Sequence, residues 1–198
     1  MGAGLFISRN TAMNFTKELE DWRERSLRLF NEVYAPHFKG NTHKTCLLKA
    51  SAVMLSANRH QGFSPHFQAG SASWRFKPEE KEGMTHLQYL YEPEKKDLYQ
   101  RMDMMPEVHC WVYDETLDSI LDLSLMDQER QLKGMFPNEV WEEEYRLPSF
   151  LARGRDGANT CMSYEAHGDA MAIVMDILKR FHYEFDLNSK EIIREYSA

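Results

Sequence analysis

The stretch EVHCWVYDETLDSILDLS, Glu107 to Ser124, decides the fold. Val108 to Tyr113 is dense in β-branched and aromatic residues, which suit a pleated and at least half-buried strand. Ser119 to Ser124 reads as a second strand. Asp114 to Asp118, DETLD, has the polar, Asx-rich composition of a hairpin turn. If those five residues turn the chain, residues whose numbers sum to about 232 face one another. That opposes His109 and Asp122 to within one residue. An imidazole and a carboxylate are thus expected side by side on a two-stranded antiparallel unit.

Upstream of this hairpin, the polar run KGNTHKT leads into a segment from Thr45 to Asn58. Its Leu47, Leu48, Ala50, Ala52, Val53, Met54, Leu55 and Ala57 leave apolar groups on most sides of a helix. A helix of that kind is buried. Further back, Phe15, Leu19, Trp22, Leu27, Phe30 and Val33 recur at three- and four-residue steps and predict a helix over 14–34. Between the buried helix and the hairpin, Phe67 to Phe76 and His86 to Tyr91 read as strands around a charged turn, KPEEKEG. Glu92 to Met105 reads as loop with some helix. Downstream, Pro137 to Tyr145 reads as acidic helical pieces, Ala152 to Gly157 as a Gly-rich connection, and Glu165 to Phe181 as a helix. Ala166, Ala170, Ile173, Val174, Ile177, Leu178 and Phe181 would form its core stripe.

Composition narrows the class. With 198 residues, 42% hydrophobic and 28% charged, the chain is an ordinary globular domain in size and balance. At this mass, folding hides roughly 70% of the extended-chain surface, enough for a core without disulfides or structural metal. Its formal charge of −7 repels phosphate backbones, so no nucleic-acid partner is expected. No apolar run reaches the ~20 residues of a membrane span, so no membrane partner is expected either. MGAGLFISRN lacks the charged and apolar regions of a secretory signal. Three cysteines, Cys46, Cys110 and Cys161, are too few and too odd a set for a disulfide framework. The expectation is a cytoplasmic protein.

Those cysteines also carry the candidate chemistry. Nucleophilic cysteine catalysis needs a thiolate, a base and a group that orients the base. Cys46 stands where the polar loop becomes the buried helix, so its sulfur would feel the positive end of the helix dipole. His109 begins a strand, and Asp122 lies on the strand beside it, where a carboxylate can hold the imidazole tautomer. Each of the three alone is an ordinary structural residue. Together, at a helix start and on facing strands, they fit one geometry. Trp111 shares the strand face of His109 and would shape a substrate cleft. Cys110 points the opposite way and reads as core. Paired metal-ligand spacing does not occur: His60 and His66 are six apart, and His109 and Cys110 are adjacent. No metal and no cofactor are therefore expected. A phosphate-binding glycine loop is likewise missing.

Three segments, TCLLKASAVMLSANRHQGF, FQAGSASW and EVHCWVYDETLDSILDLS, together resemble the transglutaminase-like cysteine peptidase superfamily. The matching pieces are Cys46-Leu47 with Ala50, Leu55 and Gly62; Gly70 and Trp74; His109-x-Trp111-Val112; and Asp122-Leu123. The resemblance implies an α+β fold with a papain-like core, in which the helix bearing the nucleophile packs on an antiparallel sheet bearing His and Asp. Extra helices would lie at both ends. The implied organisation is one domain over 1–198: an N-terminal helix over 14–34, a catalytic core over 42–124 and a C-terminal helical extension over 125–198. The implied activity is cysteine-dependent acyl transfer on a peptide or protein amide: hydrolysis, deamidation or crosslinking. Cys46 would be the nucleophile, His109 the base and Asp122 the orienting group. Relatives place Gln or Trp before the Cys as an oxyanion donor; here Asn41 is the candidate, with the Cys46 N–H. Two other readings stay open: a non-catalytic protein-binding module on the same fold, and an N-acyltransferase using an acyl-CoA donor. Substrate identity and oligomeric state are not legible.

Overall fold

The structure, a computed structural model, describes residues 9–38, 45–57, 62–101, 107–148, 150–153 and 161–176. It is built outward from the hairpin. Strand β3 runs His109–Asp114 and β4 runs Ser119–Leu121, paired antiparallel with Val112 opposite Leu121 and Asp114 opposite Ser119. The turn owes its shape to its acids. Asp114 Oδ1 accepts the Leu117 N–H at 3.0 Å, and Asp118 adopts a left-handed φ of 44°, a conformation that Asp tolerates better than most residues. The Tyr113 hydroxyl donates to Asp118 Oδ1 at 2.6 Å. Facing residues therefore sum to 233 rather than 232. Continued past β4, this register opposes Asp122 to Trp111 and sets His109 on the diagonal. Asp122 still reaches the face that His109 occupies, because a two-residue offset preserves the face.

The remaining strands complete a curled antiparallel sheet. Its order is β2-β1-β3-β4-β5, with β6 also paired to β1. Here β1 is Pro65–Arg75, β2 His86–Tyr89, β5 Leu151–Arg153 and β6 Met162–Ala166. With eleven residues, β1 is long enough for three partners: its first half pairs with β3, its second with β2 and β6. At Gly70 the chains crowd. A Cβ there would stand 2.0 Å from the Glu165 carbonyl oxygen, so β6 reaches this position only because residue 70 has no side chain.

Alternation along the strands gives the sheet two unlike faces. Val108, Cys110 and Val112 join Phe67, Ala69 and Leu121 in one cluster, which is covered by helix α2, Cys46–Leu55. Trp111 and Tyr113 join Trp74, Phe76, Ile120 and Tyr164 in the other. Helix α1, Arg9–Leu29, lies along α2. The Trp22 indole donates to the Val53 carbonyl at 2.9 Å, and the Ser26 and Ser56 hydroxyls bond at 2.6 Å. A π-helical turn, Phe30–Tyr34, follows.

The architecture is thus mixed α+β with an antiparallel sheet. Two expectations are corrected. First, the described part of 125–198 is not helical alone: besides helix α4, Gln128–Met135, it supplies β5 and β6 to the sheet. Only a 3₁₀ turn, Glu143–Tyr145, forms within 137–145. The last helix begins at 168, after β6, and is described to 176; Ala170, Ile173 and Val174 are buried along it as the stripe predicts. Second, the strand expected over 119–124 stops at Leu121 and becomes a 3₁₀ turn, Leu123–Asp127. The helix expected somewhere within 92–105 is α3, Lys96–Arg101. No helix among the described residues is long and apolar enough to cross a membrane.

Candidate active site

Residue Cys46 is the first residue of α2, and Thr45 precedes it without a side-chain cap. The first intrahelical bond runs from the Lys49 N–H to the Thr45 carbonyl at 2.9 Å. The helix packs on β3, which brings the Cys46 sulfur to the strand's entry. There, in its protonated form, the thiol donates to the Val108 carbonyl at 3.8 Å. It also lies within interaction range of the Cys110 thiol and of the His109 ring. The residue is 6% exposed, and His109 and Asp122 are 1% and 2% exposed.

The side chain of His109 is held from several sides. Its Nε2 donates to Asp122 Oδ2 at 2.7 Å. The edge of Trp74 meets the ring at a centroid distance of 4.8 Å, Tyr89 lies at 5.5 Å, and Trp111 is stacked at 6.1 Å. With Nε2 committed to the carboxylate, Nδ1 is the nitrogen left for Cys46, and no other described group bonds to it. Asp122 sits where β4 gives way to the 3₁₀ turn, and its Oδ1 caps that turn by accepting the Ser124 N–H at 2.8 Å. Its Oδ2 also accepts the Tyr164 hydroxyl at 2.9 Å. The indole of Trp74 in turn donates to the Tyr164 oxygen at 3.1 Å.

These contacts set the charge states. The Cys110 thiol, hydrogen-bonded to the Cys46 sulfur, is the largest influence and stabilises the thiolate. Burial opposes ionisation, and the hydrogen bond and charge of His109 favour it. The net result holds Cys46 well below the ordinary thiol range. Burial pushes the Cys110 thiol well up, and its donation to Cys46 and the neighbouring negative charges add to that. For His109, burial alone would lower the pKa, but the charge and hydrogen bond of Asp122, with Cys46 beside it, raise it to about 9. Burial likewise opposes ionisation of Asp122, yet the His109 charge and the donors around the carboxylate keep its pKa below the usual value. The buried site therefore favours thiolate, imidazolium and carboxylate at neutral pH, with a net charge of −1.

Cys46, His109 and Asp122 are thus brought together as the sequence reading requires. Cys110 is core, as expected, but its thiol also faces Cys46, a neighbour that strand alternation alone does not reveal. Trp111 is buried against His109, and it borders a groove with Tyr164, Tyr113 and Gln68. Asn41 lies outside the described residues. Tyr164 is the residue the sequence reading missed. It stands on a strand whose last two residues, Glu165 and Ala166, are expected as the start of a helix, and its partners are 42 and 90 positions away. The only local hint is an aromatic in MSYEA alternating with polar neighbours. No group of three or more His, Cys, Asp or Glu side chains suited to a metal ion occurs among the described residues.

No family model and no curated protein matches the chain. A solved structure described only as the crystal structure of a genomics target is similar at 12% identity and a TM-score of 0.45, over 89% of this chain and 75% of its own.

Proposed function

We propose that this chain is a cysteine-dependent acyl-transfer enzyme acting on a peptide or protein amide, built on a papain-like core. The observation that carries the reading is the buried hydrogen bond of 2.7 Å between His109 Nε2 and Asp122 Oδ2, with Cys46 at the first turn of α2 against the same ring. Cys46 attacks the amide carbonyl as thiolate. The developing oxyanion is met by the N–H groups at the start of α2, which a helix leaves without intrahelical partners. Asn41 is the proposed second donor. The imidazolium of His109 protonates the departing amine, and the thioester so formed is resolved by water or by another amine with His109 as base. Asp122 stays ionised and keeps the ring oriented. Trp111 supports the imidazole from beneath and forms part of the cleft wall.

Alkylation of Cys46 against pH, read by intact mass and peptide mapping, tests this. The expected outcome is selective labelling of Cys46 by iodoacetamide at pH 5.5 to 6 on about a minutes-to-hours timescale, where ordinary thiols are mostly protonated. His109→Ala should slow that labelling by about tenfold or more, since it removes the cation beside the sulfur. Labelling of all three cysteines with ordinary thiol pH dependence would sink the enzyme reading and favour the binding module. A positive result leads to substrate screening, with peptides set against acyl-CoA thioesters to separate amide chemistry from N-acylation.

A further inference from the structure

We propose that Tyr164 is a positioning residue of this site: its hydroxyl, oriented by the Trp74 indole, holds the Asp122 carboxylate against His109. The inference rests on the acyl-transfer reading and deepens it by adding β6 to the machinery.

An indole N–H can only donate. Trp74 Nε1 donates to the Tyr164 oxygen at 3.1 Å, so the tyrosine must send its own proton elsewhere. The acceptor within reach is Asp122 Oδ2, at 2.9 Å. That oxygen already accepts from His109 at 2.7 Å. The other carboxylate oxygen is tied to the Ser124 N–H. Asp122 thus has three donors converging on it from three directions: β3, β6 and its own turn. Its plane and its ionised state are both specified, and with them the ring tautomer of His109. Trp74, Tyr164, Asp122 and His109 are all buried, so water does not substitute for a missing donor.

Removal of the tyrosine hydroxyl has a definite sign. The titratable groups around Asp122 are His109 and Cys110 from β3, Cys46 from α2, Tyr89 from β2 and Tyr164 from β6. With Cys46, His109 and Asp122 all charged, the site carries −1, and its acid limb is the uptake of one proton. Loss of a donor to that negative site makes proton uptake easier. The acid limb of Cys46 reactivity therefore moves to higher pH.

The test compares Cys46 alkylation against pH for the native chain, Tyr164→Phe, Asp122→Asn and the double variant, with thermal unfolding of each. Tyr164→Phe keeps the ring and its packing. Its acid limb is expected to rise by about one pH unit, equivalent to roughly tenfold slower labelling on that limb. In the Asp122→Asn background, Tyr164→Phe should add no further shift. A Tyr164→Phe limb that coincides with the native one, or an equal shift in both backgrounds, overturns the proposal, even if the melting temperature falls. Failure of the acyl-transfer reading looks different: the native chain itself then shows no low-pH reactivity, and this inference falls with it. If Tyr164→Phe does not fold, Trp74→Phe gives the same test, since it frees the tyrosine proton to turn away. A smaller shift of the same sign is expected, and none overturns the proposal.

Discussion

The two faces of the sheet are built from one set of strands and do different work. Under α2, Val108, Cys110 and Val112 meet Leu47, Ala50 and Val53 in an apolar layer whose polar features near the site are two sulfurs. On the opposite face, Trp74, Trp111 and Tyr164 surround an imidazole and a carboxylate. Strand β3 feeds both, because Cys110 and His109 are neighbours in sequence and point to opposite sides. Cys46, the proposed nucleophile, belongs to the face of small apolar side chains. Its partners belong to the face of fixed rings and directed hydrogen bonds. Orientation is supplied by the aromatic side, and the thiol is only delivered to it.

Truncation at equivalent depth should expose that asymmetry most strongly. Trp74→Ala and Leu47→Ala each remove a buried side chain, at costs of about 3–5 and 2–5 kcal/mol by general experience with such changes. Urea unfolding should show both losses. The His109 ring resonances should move far more in Trp74→Ala, and equal movement in the two variants would refute the division of labour. Gly70→Ala comes next. Its Cβ meets the Glu165 backbone, so β6 must retreat at a cost of about 1–3 kcal/mol, occasionally more. Cys46 labelling should then shift in the same direction as in Tyr164→Phe, and an unchanged pH profile would break the link between β6 and the thiol.

A subtler effect lies in the pH dependence of stability. The His109 pKa rises from 6.5 unfolded to about 9 folded. Its contribution is complete below 6.5 and is lost as pH rises towards 9. Cys46 is depressed from 9.0, so its contribution is complete above 9 and is lost as pH falls through its folded value. Above 6.5 and above the folded Cys46 value, and up to 9, the two slopes cancel, because native and unfolded chains bind equal numbers of protons at this pair. Cys46→Ser removes one slope. Urea midpoints of that variant should fall from pH 6.5 upward, where the native protein's share from this pair is level. A pair that was neutral thiol and neutral imidazole would leave both profiles alike. Cys110→Ala is the smallest change in side-chain volume, yet it removes the strongest single influence on the Cys46 thiolate. Loss of its S–H donor should raise the Cys46 pKa and slow labelling at pH 6 by about tenfold. A faster reaction would mean that the second thiol restrains the first.

What could be read from the sequence was local. Cys46 at a polar-to-apolar boundary, and His109 and Asp122 around a short turn, are separated by stretches whose geometry follows from residue type. Even there the arithmetic slipped by one, because a turn closed by the Asp114 side chain contains four residues, Glu115 to Asp118, rather than five. The parts that were not legible depend on distant partners. MSYEA offers two buried positions, Met162 and Tyr164, too few for a strand pattern, and it is a strand because β1 offers an edge there. LAR at Leu151–Arg153 is shorter still. Nothing near Tyr164 announces that its hydroxyl completes a carboxylate site formed by residues 42 and 90 positions away.

The pairing of β6 with β1 also bears on how the molecule comes into being. Its partners stand 88 to 96 residues apart in the chain, whereas those of β3 and β4 stand 5 to 9 apart. Local pairings form early, and distant ones are slowed by the entropy of closing long loops. During synthesis, the hairpin with His109 leaves the ribosome before Tyr164 has been added. A nascent chain can therefore hold Cys46 and His109 without the hydroxyl that orders Asp122. Full activation of the thiol would wait for β6, so that the growing polypeptide is spared its own reactive sulfur until nearly all of the sheet has emerged.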